Sequence, residues 1–229
     1  MLILAPPRRP AGAAPAPAPP AAASLGTGGH LWLVRHARVA REFRPIAYGS
    51  QDVPLSDTGR AQTRRMGAAF RGLDVVAVVS SDLARARAMG AAIAGATGAP
   101  LRETPALREI DRGHWQGLSR EEFQTRWTAA AEEYWRDPYR WHVPGGDSDE
   151  TLAGRAWPEV ERAVRAAAGG TVVITAHNNL MRVVVARALG VETPESYRFA
   201  TDPARATLLI DRPRGWELGA LNVERPDAD

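Results

Sequence analysis

Residues 30–36 read His30-Leu31-Trp32-Leu33-Val34-Arg35-His36: an uninterrupted apolar run that ends on an arginine and a histidine. A run of that length and composition is the pattern of a strand buried on both faces. The pattern returns twice. Val75-Val76-Ala77-Val78-Val79 leads into Ser80-Ser81, and Thr171-Val172-Val173-Ile174-Thr175 leads into Ala176-His177. Helical patterns alternate with these runs. Ser56 can cap a helix reaching about Phe70, with Gln62, Met66 and Phe70 at successive turns. A capped helix after Ser80-Ser81 carries Leu83, Ala86, Gly90 and Ile93 on one side. The helix after His177 buries Leu180, Met181, Val184, Val185 and Ala188 and stops at Gly190. Three such strand-then-helix units predict an α/β domain, a three-layer α/β/α sandwich with a mostly parallel central sheet.

Working outward, residues 104–118 read as loop, and Glu121 to Arg136 and Thr151 to Ala168 as further helices. Ala206 to Asp211 and Trp216 to Leu221 read as two last strands that a hairpin can join. Residues 1–29 differ from the rest. They hold seven of the chain's 18 prolines among Ala and Gly, a composition too poor in apolar surface to offset its ordering entropy. The expected organisation is a disordered tail over 1–29, a folded domain over 30–221 with a small cap insertion at about 119–144, and a flexible C-terminus over 222–229. Met1-Leu2-Ile3-Leu4 is short for a secretory leader and Arg8-Arg9 lies on its wrong side, so a cytoplasmic location is expected.

Composition excludes several chemistries. The 229 residues contain no cysteine, which removes disulfides, thiolate metal sites and cysteine nucleophiles. They contain no lysine either, which removes Schiff-base catalysis and a P-loop lysine. All 29 basic residues are arginine, spread among 26 acidic ones for a net charge of +3, without the one-sided basic patch of a nucleic-acid reader. No 18-residue apolar stretch suggests a membrane span.

Ligands of open α/β sheets sit beyond the carboxyl ends of the strands. Those ends supply Arg35-His36, Ser80-Ser81 with Arg85 early in the next helix, and His177. Two arginines and two histidines suit a phosphate. Arginine gives planar, permanently charged donors, and a neutral imidazole is a competent nucleophile once an acceptor fixes its second nitrogen. Arg87 competes with Arg85, and only Arg85's closeness to the helix start separates them.

An ordered series of blocks makes the reading specific. Leu33-Val34-Arg35-His36 resembles the Arg-His-Gly signature of the histidine phosphatase superfamily, also called the phosphoglycerate mutase-like family. Tyr48 to Ser56 resembles its Gly-x-x-Asp-x-Pro-Leu-Ser stretch, and Thr58-Gly59-x-x-Gln62 the opening of its first helix. Ser80 to Ala86 resembles its Ser-x-Leu-x-Arg-Ala block. Leu107-Arg108-Glu109 with Gly113, Trp115 and Gly117 resembles its acid block. Gly145-Gly146-Asp147-Ser148 and Thr175-Ala176-His177 complete the order. The resemblance implies that His36 is the nucleophile, that Arg35, Arg85 and a protonated His177 hold the phosphoryl oxygens, and that Glu109 protonates the leaving oxygen. No cofactor and no metal are implied.

The chain departs from the pattern in places. Ala37 stands where the family usually has glycine, at a cost of about 1–2 kcal/mol if that backbone needs positive φ. No asparagine follows in residues 38–47, Asp147 replaces glutamate, and Asn178 replaces glycine. Phe123, Trp127, Tyr134, Trp135, Tyr139 and Trp141 form either an apolar cap wall against the leaving group or helix core. His114 and His142 read as surface residues. The expected function is metal-independent hydrolysis of phosphomonoesters of small metabolites through a phosphohistidine. A mutase-type phosphotransferase is the poorer match, because its additional substrate-binding lysine and its long insertion have no counterpart. Ala37 suggests a phosphohistidine-protein phosphatase, against which the aromatic insertion counts. An inactive phospho-ligand-binding relative is the non-enzymatic alternative. The segment from Tyr48 to Leu55 also resembles α-ribazole phosphatases.

Overall fold

The computed structural model describes residues 22–137 and 139–226. Its first half runs β1 (His30–Arg35), α1 (Asp57–Ala69), β2 (Val75–Ser81), α2 (Ala84–Thr97) and β3 (Leu101–Thr104). Helices α3 (Arg120–Arg126), α4 (Thr128–Arg136) and α5 (Asp149–Ala166) follow, then β4 (Thr171–Ala176), α6 (Asn178–Leu189) and the short α7 (Thr193–Ser196). A hairpin of β5 (Ala206–Arg212) and β6 (Gly215–Val223) closes the chain. The strands form one sheet in the order β3-β2-β4-β1-β5-β6, parallel from β3 to β1 and antiparallel from β1 through β5 to β6. The expected α/β sandwich with a mostly parallel sheet is the observed one.

Alternation along the central strands makes the three layers. On β1, Leu31 and Leu33 pack with Val172 and Ile174 of β4 against α5 and α6. Trp32 and Val34 pack with Val173 on the opposite face, against Met66 of α1 and Met89 and Ile93 of α2. A strand apolar on every residue is therefore one covered on both sides. Gly190 stops α6 in the left-handed conformation, and Ser56 caps α1 by accepting from the Gly59 N–H at 3.0 Å.

Several boundaries differ from expectation. Residues 104–118 are not all loop: β3 precedes them as an edge strand and they contain two short 3₁₀ turns. Leu101-Arg102-Glu103-Thr104 has no apolar run because only one edge of it pairs. The expected helix over 121–136 is two helices, broken at Trp127, whose ring packs on His114 at 5.4 Å. Ser119 and Ser148 begin their helices earlier than expected, each through a capping box. No side chain of Ser80 or Ser81 caps α2, which starts at Ala84; the Asp52 carboxylate accepts the Ala84 N–H at 2.9 Å instead.

The cap has a core of its own. Trp115 stacks on Phe123 at 4.7 Å and meets Tyr134 edge-on, and all three are fully buried. These rings are helix core, while Trp127 and Trp141 are only partly buried beside them and the side chain of Trp135 lies outside the described residues.

Residues 1–21 also lie outside the described residues, but residues 22–29 do not behave as a loose tail. Buried Asp211 on β5 accepts from Ser24 Oγ at 2.8 Å, Leu25 N at 2.9 Å, Thr27 N at 2.7 Å and Thr27 Oγ1 at 2.8 Å. Ala22 and Leu25 pack on the α5–α6 side of the core. One carboxylate collects donors that a hydrophobicity criterion does not count. At the other end, β6 extends to Val223, so residues 222–223 belong to the sheet.

Candidate active site

Strands β2, β4 and β1 lie side by side, so their carboxyl ends bring Ser81, His177 and Arg35-His36 together. Arg85, His36, Arg35, Glu109 and His177 are each at most 3% exposed, and each lies within electrostatic reach of others of the five, so five ionisable side chains are buried side by side. Glu109 arrives from the segment after β3. All five predicted site residues are therefore gathered here.

His36 Nδ1–H donates to the Ala37 carbonyl at 2.8 Å. That bond places the proton on Nδ1 and leaves the lone pair on Nε2, which is buried without a hydrogen-bond partner. The ring lies 5.2 Å from that of His177. Burial, with Arg85 and Arg35 close by, drives the His36 pKa well below the ordinary imidazole range, so the ring is neutral. Burial and the same arginines do the same to His177, which corrects the expectation of a protonated His177. His177 Nε2 meets Ser81 Oγ at 2.9 Å. Ser81 Oγ already accepts from the Leu83 N–H at 3.3 Å and can donate its own hydrogen to Nε2, leaving Nδ1–H of His177 as the free donor.

Arg85 donates to the carbonyls of Gln51 at 2.6 Å and Gly49 at 2.8 Å, and its guanidinium sits 5.1 Å over the Tyr48 ring. Gly49 has φ +41°, and a Cβ there would stand 2.7 Å from the Ile110 carbonyl. The block from Tyr48 to Asp52 thus clasps the start of α2 twice, at Arg85 and at Ala84. Arg87 points elsewhere, 3.9 Å from Glu103, which settles the choice for Arg85. Arg35 bonds the Thr201 carbonyl and the Tyr48 hydroxyl. Burial raises the Tyr48 phenol above its ordinary range against the opposing pull of Arg35 and Arg85.

Glu109 Oε1 accepts from the Ile110 N–H at 3.0 Å, and Oε2 accepts from Asn179 N at 3.2 Å and Nδ2 at 3.3 Å. Asp111, the neighbouring acid, is taken up by the Gly113 N–H at 2.8 Å. Behind Asn179, Arg182 donates to its Oδ1 at 3.4 Å and to buried Asp149 at 2.6 Å. Sequence reading missed Asn179, Arg182 and Tyr48 as members of this site. For Asn179 the signal is that Asn178-Asn179 opens the helix after a ligand-bearing strand end, and for Tyr48 it is its place at the head of the block from Tyr48 to Ser56.

Of the departures, Ala37 does not adopt positive φ, so the expected backbone cost does not arise. Asp147 accepts from the Asp111 N–H at 3.1 Å and pairs with Arg155, tying the acid loop to α5. His114 and His142 are exposed, and among the described residues no group of three metal-ligating side chains is gathered. A cavity of about 330 Å³ opens beside His36 and Arg35.

The model of the Histidine phosphatase superfamily (branch 1) matches residues 31–224. The chain belongs to the histidine phosphatase superfamily. This histidine phosphatase is 32% identical over 168 residues to a glucosyl-3-phosphoglycerate phosphatase of Mycolicibacterium vanbaalenii, covering 70% of this chain and 74% of that protein. It is 30% identical over 162 residues to a 2,3-bisphosphoglycerate-dependent phosphoglycerate mutase of Mesorhizobium japonicum, covering 68% and 79%. Among solved structures, a mycobacterial glucosyl-3-phosphoglycerate phosphatase superposes with a TM-score of 0.75 at 26% identity, over 85% of this chain and 98% of the other. An α-ribazole-5'-P phosphatase described as putative, from Escherichia coli, superposes with a TM-score of 0.79 over 88% and 100% of the chains. At 18% identity that likeness shows the fold alone. Within the superfamily, this histidine phosphatase is of the phosphatase type and acts on phosphomonoesters. No helix among its described residues is long and apolar enough to cross a membrane.

Proposed function

We propose that this histidine phosphatase hydrolyses the phosphomonoester of a small metabolite through a phosphohistidine on His36. The observation that carries the reading is the His36 ring: neutral, held at Nδ1 by the Ala37 carbonyl, with a buried and unpartnered Nε2. Nε2 attacks phosphorus, and the bond from phosphorus to the ester oxygen breaks. Arg35, Arg85 and Nδ1–H of His177 hold the non-bridging oxygens. Glu109 gives its proton to the departing alkoxide, which leaves poorly without one. A water then attacks the phosphohistidine, returns a proton to Glu109 and releases inorganic phosphate from the neutral ring.

The two guanidiniums supply fixed positive charge, which is why we infer turnover without a divalent ion. They are oriented in advance by Thr201, Gly49 and Gln51 carbonyls, so little reorganisation accompanies charge development. A phosphorylated metabolite is charged and stays on the side of the membrane where it is made, so this reading places the enzyme in the cytoplasm. The likeness to glucosyl-3-phosphoglycerate phosphatases supports hydrolysis over mutase chemistry.

The test is brief incubation with ³²P-labelled substrate and quenching without acid. The expected result is an acid-labile, base-stable phosphoprotein that the His36→Ala variant lacks. A label that persists in the variant would refute the assignment. Excess EDTA should leave turnover unchanged.

A further inference from the structure

We infer that Tyr197 is a positioning residue for proton donation by Glu109, and that Tyr134 of the cap holds Tyr197 in place. The inference rests on the phosphatase reading, in which Glu109 protonates the departing oxygen, and concerns what aims that acid. Glu109 Oε2 is held by both donors of Asn179, whose amide oxygen accepts in turn from Arg182 Nη2 at 3.4 Å. That last bond is the longest of the series and the most easily lost. Arg182 Nη2 is shared with the Asp149 carboxylate, a charged partner at 2.6 Å and the stronger of the two. A guanidinium free to tilt about its bond to Asp149 would leave Asn179.

Tyr197 supplies the constraint. The Arg182 guanidinium lies over its ring, 3.7 Å from the centroid. A guanidinium donates only in its own plane, so a ring stacked on that plane fixes the directions of all its N–H groups. Arg182 Nη1 donates to the hydroxyl of Ser196, the residue before Tyr197, which ties the end of α7 to the same arginine. The ring of Tyr197 is itself held by its hydroxyl, 2.8 Å from that of Tyr134 on α4. Arg112 Nη1 donates to the Tyr134 hydroxyl at 3.3 Å, so Tyr134 can pass its own hydrogen to Tyr197. Packing of the cap core against Trp115 needs only the Tyr134 ring. Its hydroxyl finds Arg112 and Tyr197 outside that core.

The cap insertion is thereby linked to the proton donor through the Tyr134 and Tyr197 hydroxyls, the Arg182 guanidinium and the Asn179 amide. Tyr134, Arg112, Arg182 and Asp149 are all buried, so water competes little for these bonds. Arg35, Arg85 and His36 take their partners from Thr201, Gly49, Gln51 and Ala37, outside this series. Loss of the Tyr197 ring should thus change how strongly the rate depends on the leaving group, and act far less on capture of the phosphoryl group.

The experiment measures kcat/KM, which reports transfer to His36 whichever later step limits turnover, for p-nitrophenyl, phenyl and benzyl phosphate. The three leaving groups need a proton increasingly in that order. In Tyr197→Leu, which removes the ring face, the loss on benzyl phosphate should exceed that on p-nitrophenyl phosphate by about tenfold, a fraction of the whole general-acid effect. Tyr197→Phe and Tyr134→Phe keep both rings and break one and the same bond. Each should widen the spread a few-fold, on the order of one neutral hydrogen bond, and the double variant should widen it no more than either. Equal losses on all three esters, or losses that multiply in the double variant, overturn the positioning role. If Tyr197→Leu does not fold, the phenylalanine pair decides by the same criteria. Glu109→Gln separates this role from the phosphatase reading. A spread that widens in Glu109→Gln but not in the tyrosine variants removes only the role of Tyr197. A spread that Glu109→Gln leaves unchanged, or no hydrolysis of any ester, overturns both.

Discussion

Asn179 donates twice to the same oxygen of Glu109, from its backbone N–H at 3.2 Å and from its side-chain amide at 3.3 Å. Because Arg182 donates to the amide oxygen of Asn179, the amide nitrogen is turned toward Glu109. A residue of the sheet's last parallel unit thereby sets the orientation of an acid carried by a distant segment.

Glu109→Gln keeps the shape but has no carboxylic proton to give. Transfer from an alkyl phosphate should fall roughly 10²–10⁴-fold, the range of general acid catalysis. Transfer from p-nitrophenyl phosphate, whose leaving group needs no proton, should fall far less. Burst kinetics must first establish that transfer to His36 limits the rate; equal losses in that regime would leave Glu109 an electrostatic role only. Asn179→Ala should shift the two substrates apart in the same direction, by about tenfold.

Arg182 and Asp149 form a buried pair at 2.6 Å, with side chains 3% and 0% exposed. Arg182 also lies 3.7 Å from the Tyr197 ring centroid. Arg182→Met leaves Asp149 buried and unpaired, so denaturant unfolding should show a loss of about 3–5 kcal/mol. A change under about 1 kcal/mol would mean that water or a rearranged Tyr197 takes over the carboxylate.

His36 and His177 both have pKa values driven well below the usual 6.5. The unfolded chain binds protons that the folded one refuses, so the folded state is fully favoured above about pH 6.5 and loses stability as pH falls below it. The slope should approach about 1.4 kcal/mol per pH unit for each ring. His36→Gln should remove one ring's share of that slope in urea unfolding from pH 7 to 5. An unchanged slope would show that His36 is not held neutral. Likewise kcat/KM should not decline near pH 6.5 through protonation of His36.

Asp211 anchors residues 24–27, and its carboxyl lies below the ordinary range because Thr27, Ser24 and Leu25 donors outweigh its burial. The stability it contributes is present above about pH 4 and is lost on further acidification. Removing residues 1–21 should leave the unfolding midpoint unchanged, as their composition suggests. Removing 1–29, or Asp211→Ala, should cost about 2–4 kcal/mol, the scale of charge-assisted bonds left unmade. Equal midpoints for the two deletions would contradict the docking of this strap.

The sheet was legible because β1, β2 and β4 are apolar on consecutive residues, and their final residues named His36, Arg35 and His177. Arg85 came from its place just past a strand end, and Glu109 from the family blocks rather than from periodicity. Edge strand β3 escaped because one-sided pairing needs no apolar run, and its Arg102 and Glu103 face solvent. The cap on α2 escaped because Asp52 is 32 residues upstream of Ala84. Asn179 and Arg182 escaped for a similar reason. Their partners, Glu109 and Asp149, are set by tertiary placement, and a local pattern carries no record of that.

The strap of residues 22–29 lies at the starting ends of the strands, beside His30 and Asp211, whereas His36 lies past their finishing ends. Six residues of β1, about 20 Å of extended chain, separate the two. Residue 22 itself, whose N–H donates to the Arg187 carbonyl, thus stands on the side remote from the cavity mouth. The protein can be tethered to a bead or fused behind another domain by its N-terminus with substrate access intact, whereas grafts near Asp202 or Arg44, which line the cavity, would stand in the doorway.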